Sequence, residues 1–213
     1  MNELFVSAFV TLFVVIDPPG CAPIFASLTG GASPAQRRAM AWRAVLTATG
    51  ILLFFALLGE QLLGALGISL DAFRIAGGLL LFLIAADMVF EKRTERREAR
   101  AADVVERAAA RPAEVTDVSV FPMAIPMIAG PGSIASVMLL MARADGALET
   151  AAVLGATALV LALTLGALLA AGPLMRLVGD KVEAMVTRLL GVILCALAAQ
   201  IMVDGIKGAF AIG

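Results

Sequence analysis

Predominantly apolar runs of bilayer length with few charges, separated by charged connections, set the pattern of this chain. Six such segments can be read, at residues 3–29, 40–63, 72–90, 118–142, 150–172 and 186–203. A helix rising ~1.5 Å per residue needs about 20 residues to cross the hydrocarbon layer, and the uncharged cores are near that length. No period-two alternation runs through them, so porin-like strands are excluded. The pattern predicts an all-α membrane protein with six transmembrane helices.

Two of the six segments are interrupted where a regular helix cannot continue. The first carries Asp17-Pro18-Pro19-Gly20-Cys21-Ala22-Pro23 and is expected to break at Pro18–Gly20. Proline has no N–H and clashes with the preceding turn. Asp17 would lie roughly 20 Å along the helix from Glu3, near the bilayer middle, where an acid is costly and marks a functional site. The fourth segment carries Phe121-Pro122, Pro126 and Gly130-Pro131-Gly132-Ser133 and is expected to break at residues 130–132. Pro19-Gly20 and Pro131-Gly132 are offset by 112 residues. A second correspondence, offset by 114, aligns Arg74 with Arg188, Gly77 with Gly191, Leu83 with Leu197 and Met88-Val89 with Met202-Val203. The chain therefore divides into a three-helix repeat at 1–90, a charged connection at 91–117 and a second three-helix repeat at 118–213. An odd number of spans per repeat turns the second upside down, giving an inverted 3+3 repeat with its first and fourth helices broken mid-membrane.

Composition agrees with this picture. The 213 residues are 61% hydrophobic and only 15% charged, against about 25% charged in soluble domains. Net charge is −1, which gives no reason to expect a nucleic-acid partner. The chain has no His and no Tyr, so His-based catalysis is impossible, no metal-ligand cluster exists, and no enzyme or cofactor is indicated. Cys21 and Cys195 lie in apolar segments and read as small packing residues. Glu3 stands where a signal peptide would be basic, so no cleaved leader is expected. Arg37, Arg38 and Arg43 in the first connection, seven basic residues between Lys92 and Arg111, and Arg176 and Lys181 in the fifth outweigh Arg74, Arg143 and Lys207 on the other side. By the positive-inside rule the richer connections are cytoplasmic and both termini periplasmic. The loop at 91–117 reads as a solvated connector. In the fifth segment Ala158, Ala162, Gly166 and Ala170 recur every four residues, a stripe on which another helix is expected to pack.

The candidate site follows from the breaks. The stretches after them begin new half-helices, whose first N–H groups lack partners and carry partial positive charge. Two such ends at the midplane would receive a carboxylate. The expected substrate-binding residues are Asp17, Pro18, Gly20, Cys21, Pro23 and Ser27 at the first break. At the second they are Pro126, Gly130, Pro131, Gly132, Ser133 and Ser136, with Ser133 at the helix-capping position. Asp17 is the candidate for the coupling ion, although a simple cap of the following half-helix is an alternative role.

The stretches Asp17–Phe25, Pro122–Ile134, Arg74-Ile75-Ala76-Gly77-Gly78 and Ala199–Ile206 resemble the MarC family, named for multiple antibiotic resistance and also grouped as neutral amino acid transporters. The resemblance covers nearly the whole chain except the charged loop. It implies a multi-pass protein of the bacterial inner membrane that transports small neutral amino acids such as alanine or glycine, coupled to a proton or sodium ion. An exporter of drugs or sugars, or a membrane scaffold or regulator acting through the charged loop, is the rival reading. An oligomer is compatible with either.

Overall fold

The computed structural model describes residues 2–90 and 117–210, with the side chains of residues 2, 172–184 and 186 left out. The charged connection read at 91–117 lies outside the described residues apart from Asp117. Helices account for the fold in this order: α1 (Asn2–Ile16), α2 (Pro18–Leu28), α3 (Pro34–Ala65), α4 (Leu70–Val89), α5 (Ser119–Ile128), α6 (Pro131–Met141), α7 (Gly146–Leu169) and α8 (Ala171–Phe210). Among the described residues there is no strand. Five stretches are long and apolar enough to cross a bilayer: Glu3–Leu28, Pro34–Ala65, Leu70–Val89, Gly146–Leu169 and Thr187–Phe210. Counted as one span, the pair α5 and α6, bent by 52°, makes a sixth.

Local chemistry explains most boundaries. Ser33 opens α3 with a reciprocal capping box: Gln36 N–H donates to Ser33 Oγ at 3.3 Å and Ser33 N–H to Gln36 Oε1 at 2.9 Å. Pro34 fits the first helical position because its missing N–H would have been unpaired there. The helix therefore starts six residues before the expected membrane segment, and Arg37, Arg38 and Arg43 sit on it. It ends where Gly67 takes a φ of +69° and Ile68 N–H returns to Leu63 O at 2.9 Å. Ser69 caps α4 through Ala72 N–H at 3.2 Å. The connection expected between the fifth and sixth spans is helical instead. Only Ala170 separates α7 from α8, because Pro173 falls in the first turn of α8, where proline is tolerated.

α4 and α8 form the most extensive helix pair and run antiparallel. A side chain on Gly78 would strike Met202 and the Ala198 carbonyl, and one on Gly191 would strike Met88 and the Ala85 carbonyl. Each glycine thus admits the facing helix at the opposite end of the pair. α1 and α2 pack on α7, while α5 and α6 pack on α3. The main core joins Leu12 and Ile16 of α1, Ala41, Ala44, Ala48 and Leu52 of α3, and Val153, Ala156 and Val160 of α7. The alanine run on α3, spaced three and four, lets the helices approach closely.

The small-residue stripe of α7 does not serve as a packing face. Ala158, Ala162, Gly166 and Ala170 are exposed, whereas Val153, Ala156, Thr157, Val160, Leu161, Thr164 and Leu168 point inward. The inward face instead mixes Val153, Val160, Leu161 and Leu168 with the small residues Ala156, Thr157 and Thr164, the two threonine hydroxyls donating to Val153 O and Val160 O within the helix. Outside the core, Val6, Leu46, Phe54, Leu57, Leu83, Leu189 and Val192 are exposed, together with many other large apolar residues. A surface this apolar is suited to lipid, not water.

Candidate functional site

The first interruption is a single residue. Asp17 adopts φ 59° and ψ 67°, the left-handed region, with only 4% of its surface exposed. Pro18 disfavours the right-handed helical conformation for the residue before it, and Asp is among the few types that tolerate the left-handed one. Helical bonding continues on both sides: Asp17 N–H donates to Phe13 O at 2.9 Å and Cys21 N–H to Asp17 O at 3.0 Å. Glu3–Leu28 accordingly passes as one candidate span of 26 residues, and the break expected at Pro18–Gly20 is confined to Asp17.

Asp17 is the N-cap of α2. Pro18 and Pro19 carry no N–H, so Gly20 holds the first donor, and it donates to Asp17 Oδ1 at 3.1 Å. That diverts Gly20 N–H from Ile16 O, its ordinary helical acceptor. The Cys21 thiol takes over, donating from Sγ to Ile16 O at 3.4 Å. Cys21, read from sequence as packing, therefore answers a carbonyl released by the break. Its signal in the sequence is its place immediately after Pro-Pro-Gly. The start of α2 is consequently not an open anion receptor: two donors are missing and the next is taken by a carboxylate.

The second interruption differs. Pro122 and Pro126, four apart, each force the preceding residue into extended geometry: Phe121 at φ −126°, ψ 126° and Ile125 at φ −126°, ψ 125°. Both X–Pro bonds are cis. The backbone advances with five-residue hydrogen bonds, Met123 N–H to Val118 O at 3.2 Å and Ala129 N–H to Ala124 O at 2.9 Å. α6 then restarts with Gly130 as N-cap and Pro131 at its first position. Ser133 is thus two residues inside the helix and not its cap, because Pro131 claims the position where a missing N–H costs nothing. No side chain caps α6. Gly130 has to be glycine, since a Cβ would collide with the Pro126 carbonyl.

The two interruptions meet. A side chain at Gly132 would run into Ile84 of α4 and come within 3.2 Å of Val15, two residues before Asp17. One turn further along the same face of α6 lies Ser136, 1% exposed, whose Oγ has no hydrogen-bond partner among the described residues. A buried hydroxyl without a partner costs about 1–3 kcal/mol unless a ligand or water satisfies it.

The expected site residues divide accordingly. Asp17, Pro18, Gly20 and Cys21 are buried at the first interruption, and Gly130, Gly132, Ser133 and Ser136 are buried at the second. Pro23 and Pro126 are half-buried, while Ser27 and Pro131 are exposed. Ser27 is near the far end of α2 and is not gathered with the others. Pro126 and Pro131, with Phe73, Gly77 and Ala129, line an almost purely apolar groove of about 500 Å³ between α4, α5 and α6.

Apart from Asp17, the described ion pairs lie at the ends of the bundle. Arg43 pairs with Asp117 at 2.8 Å at one end, and Arg143 with Asp204 at 2.9 Å and Arg74 with Asp71 at 2.8 Å at the other. The Ser119 side chain and backbone N–H, together with Arg43, hold the Asp117 carboxyl below its ordinary value. The exposed pair Arg43–Asp117 contributes at most about 1 kcal/mol.

Comparison with known proteins places this arrangement. The model of the MarC family integral membrane proteins matches residues 2–210. The chain belongs to the MarC family. It is 39% identical over 210 residues to the UPF0056 membrane protein MJ1677 of Methanocaldococcus jannaschii, covering 97% of this chain and 98% of the relative. It is 35% identical over 210 residues to the UPF0056 membrane protein YvbG of Bacillus subtilis, covering 99% and 97%. With the UPF0056 inner membrane protein YhgN of Escherichia coli it shares 34% identity over 209 residues, covering 97% and 98%. No solved structure matches. As a MarC protein the chain is a multi-pass integral membrane protein, and both interruptions fall inside the region that defines the family.

Proposed function

We propose that this MarC protein is a secondary transporter of small neutral amino acids in the bacterial inner membrane, with both termini periplasmic and no enzymatic activity. The observation that carries the reading is the restart of α6: an uncapped helix N-terminus inside the bundle, packed beside Asp17's helix, with the unpartnered Ser136 Oγ one turn on. Uncapped N–H donors and a helix dipole favour a carboxylate. Because α2 is capped by its own acid, the carboxylate site is assigned to α6 alone. Asp17 then serves the substrate ammonium, or the coupling proton or sodium ion. The matched packing of α1 and α2 on α7 with that of α5 and α6 on α3, and the antiparallel α4–α8 pair, support an inverted 3+3 repeat and alternating access.

The test is uptake of labelled alanine and glycine by purified protein in liposomes, with and without an imposed proton or sodium gradient. Gradient-dependent accumulation is the expected result, and no accumulation under either gradient overturns the reading. A second reading, export of an apolar solute, is favoured by the apolar groove beside Pro126 and Pro131. In the same liposomes it predicts transport of an apolar dye with no competition by alanine.

A further inference from the structure

We propose that the basic end of the bundle holds a binding pocket for the headgroup phosphate of an anionic phospholipid. It is formed by the last turn of α2, the first turns of α3 and the end of α7. A cavity of about 240 Å³ lies there, lined by Thr29, Pro34, Arg37, Arg38, Leu168 and Leu169 among others. Arg37 lines it and is held in place: Nε donates to Thr29 O at 2.9 Å and Nη2 to Gly30 O at 3.0 Å. These bonds fix the guanidinium against the end of α2 and leave Nη1 for another acceptor. Arg38 is exposed and has no ion-pair partner among the described residues. Among the described residues no acidic side chain lines the cavity. Two guanidinium groups and the positive end of a 32-residue helix therefore converge without a counter-charge among the described residues.

The rest of the wall decides which anion fits. Phe25, Ala26, Leu168 and Leu169 are apolar, and Leu169 is 42% exposed. Along the outer face of α3, Arg38 is followed one turn later by Trp42, 50% exposed, and one turn after that by Leu46, 61% exposed. Guanidinium, indole and aliphatic side chain thus succeed one another over roughly 12 Å. A bilayer passes from phosphate through the interface to acyl chain in the same order, and tryptophan favours the middle level. A free phosphate would use the two arginines alone. A phospholipid uses the arginines, the indole and the apolar wall together, as basic pockets between membrane helices do. The pocket is separate from the interruptions and does not depend on the transport reading.

Trp42 is the chain's single tryptophan and so reports on this pocket directly. Purified full-length protein would be titrated with brominated phosphatidylglycerol or brominated phosphatidylcholine of the same acyl chains in mixed micelles, following quenching of Trp42. Half-quenching is expected at roughly tenfold lower mole fraction for phosphatidylglycerol, as one or two charge-assisted hydrogen bonds would give. Arg38→Gln should reduce that preference to near unity, while Arg38→Lys should keep part of it. Inorganic phosphate and glycerol 1-phosphate at millimolar concentration should not relieve the quenching. Equal quenching by both lipids in the unaltered protein overturns the proposal, as does an unchanged preference in Arg38→Gln. Relief by inorganic phosphate would make this a free-anion site and overturn the lipid assignment.

Discussion

Gly20 donates its backbone N–H to Asp17 Oδ1 at 3.1 Å, and a side chain on Gly20 would overlap that carboxyl group. Carboxylate and glycine therefore form one unit, the acid capping α2 and the glycine leaving room for it. Gly20→Ala is expected to push the carboxylate away and forfeit the cap, at about 1 kcal/mol. For a chain of this length that corresponds to a fall of roughly 2–4 °C in Tm. Thermal unfolding in detergent checks it, and an unchanged Tm would mean that the cap contributes nothing.

Asp17 can be probed for charge and for conformation separately. Asn caps helices about as well as Asp and tolerates the left-handed region. Asp17→Asn should therefore unfold near the unaltered Tm yet lose gradient-driven accumulation of alanine. Asp17→Leu loses the cap and places a bulky residue at φ 59°, adding a penalty of roughly 1–2 kcal/mol to that of the lost cap. Full accumulation by the Asn variant would remove Asp17 from ion or ammonium handling.

Ser136 gives a prediction with opposite signs for stability and binding. Its buried Oγ has no partner among the described residues, so Ser136→Ala should be neutral or stabilising by up to about 1 kcal/mol. If the hydroxyl meets a substrate, the same variant should weaken alanine binding several-fold. A variant that is more stable and binds as before would mark Ser136 as an unsatisfied core serine only.

The all-helical class, five or six candidate spans and the proline-rich stretches where helices restart were legible because each rests on a strong local signal. Uncharged runs mark the bilayer, and proline removes donors wherever it stands. Other features required the fold. The continuous passage through Asp17 depends on one residue adopting a left-handed conformation that keeps the flanking hydrogen bonds. The exposure of Ala158, Ala162, Gly166 and Ala170 depends on which face of α7 its neighbours occupy, and small residues look alike on either. The thiol bond from Cys21 to Ile16 O exists only because Gly20 N–H turns toward Asp17. The placement of Ser133 inside α6 followed from Pro131 claiming the first position, a competition that spacing alone left open.

The α4–α8 seam yields a stability prediction. A Cβ on Gly78 would lie 2.6 Å from Met202 Cγ and 3.0 Å from the Ala198 carbonyl oxygen. Met202 can move, whereas the carbonyl belongs to helix backbone and cannot do so cheaply. Gly78→Val should therefore separate the helices and cost about 1–3 kcal/mol, the usual range for overpacking. Gly50, which would meet nothing within 4 Å, is the control, and Gly50→Val should change little beyond helix propensity. Equal Tm values for the two variants would mean that the seam is looser than its geometry.

Substrate chemistry provides the sharpest discrimination. Pro131 begins α6 without an N–H, so Gly132 and Ser133 hold its first donors, and no side chain caps them. Both residues are buried, which keeps water from substituting freely for a ligand. A carboxylate at this end would gain charge-assisted hydrogen bonds together with the helix dipole, whereas an amide would gain only neutral ones. The difference should be roughly 2–3 kcal/mol, or between tens- and a hundred-fold in affinity. Close packing of Gly132 against Val15 and Ile84 leaves room only for a small side chain on the ligand. Unlabelled glycine and alanine should therefore compete with labelled alanine in proteoliposomes, leucine poorly, and alaninamide at least tenfold less well than alanine. Gly132→Ala should abolish binding of all of them, since its Cβ would press Val15 and Ile84 and shift the donors. If alaninamide competes as well as alanine, the α6 terminus does not hold a carboxylate.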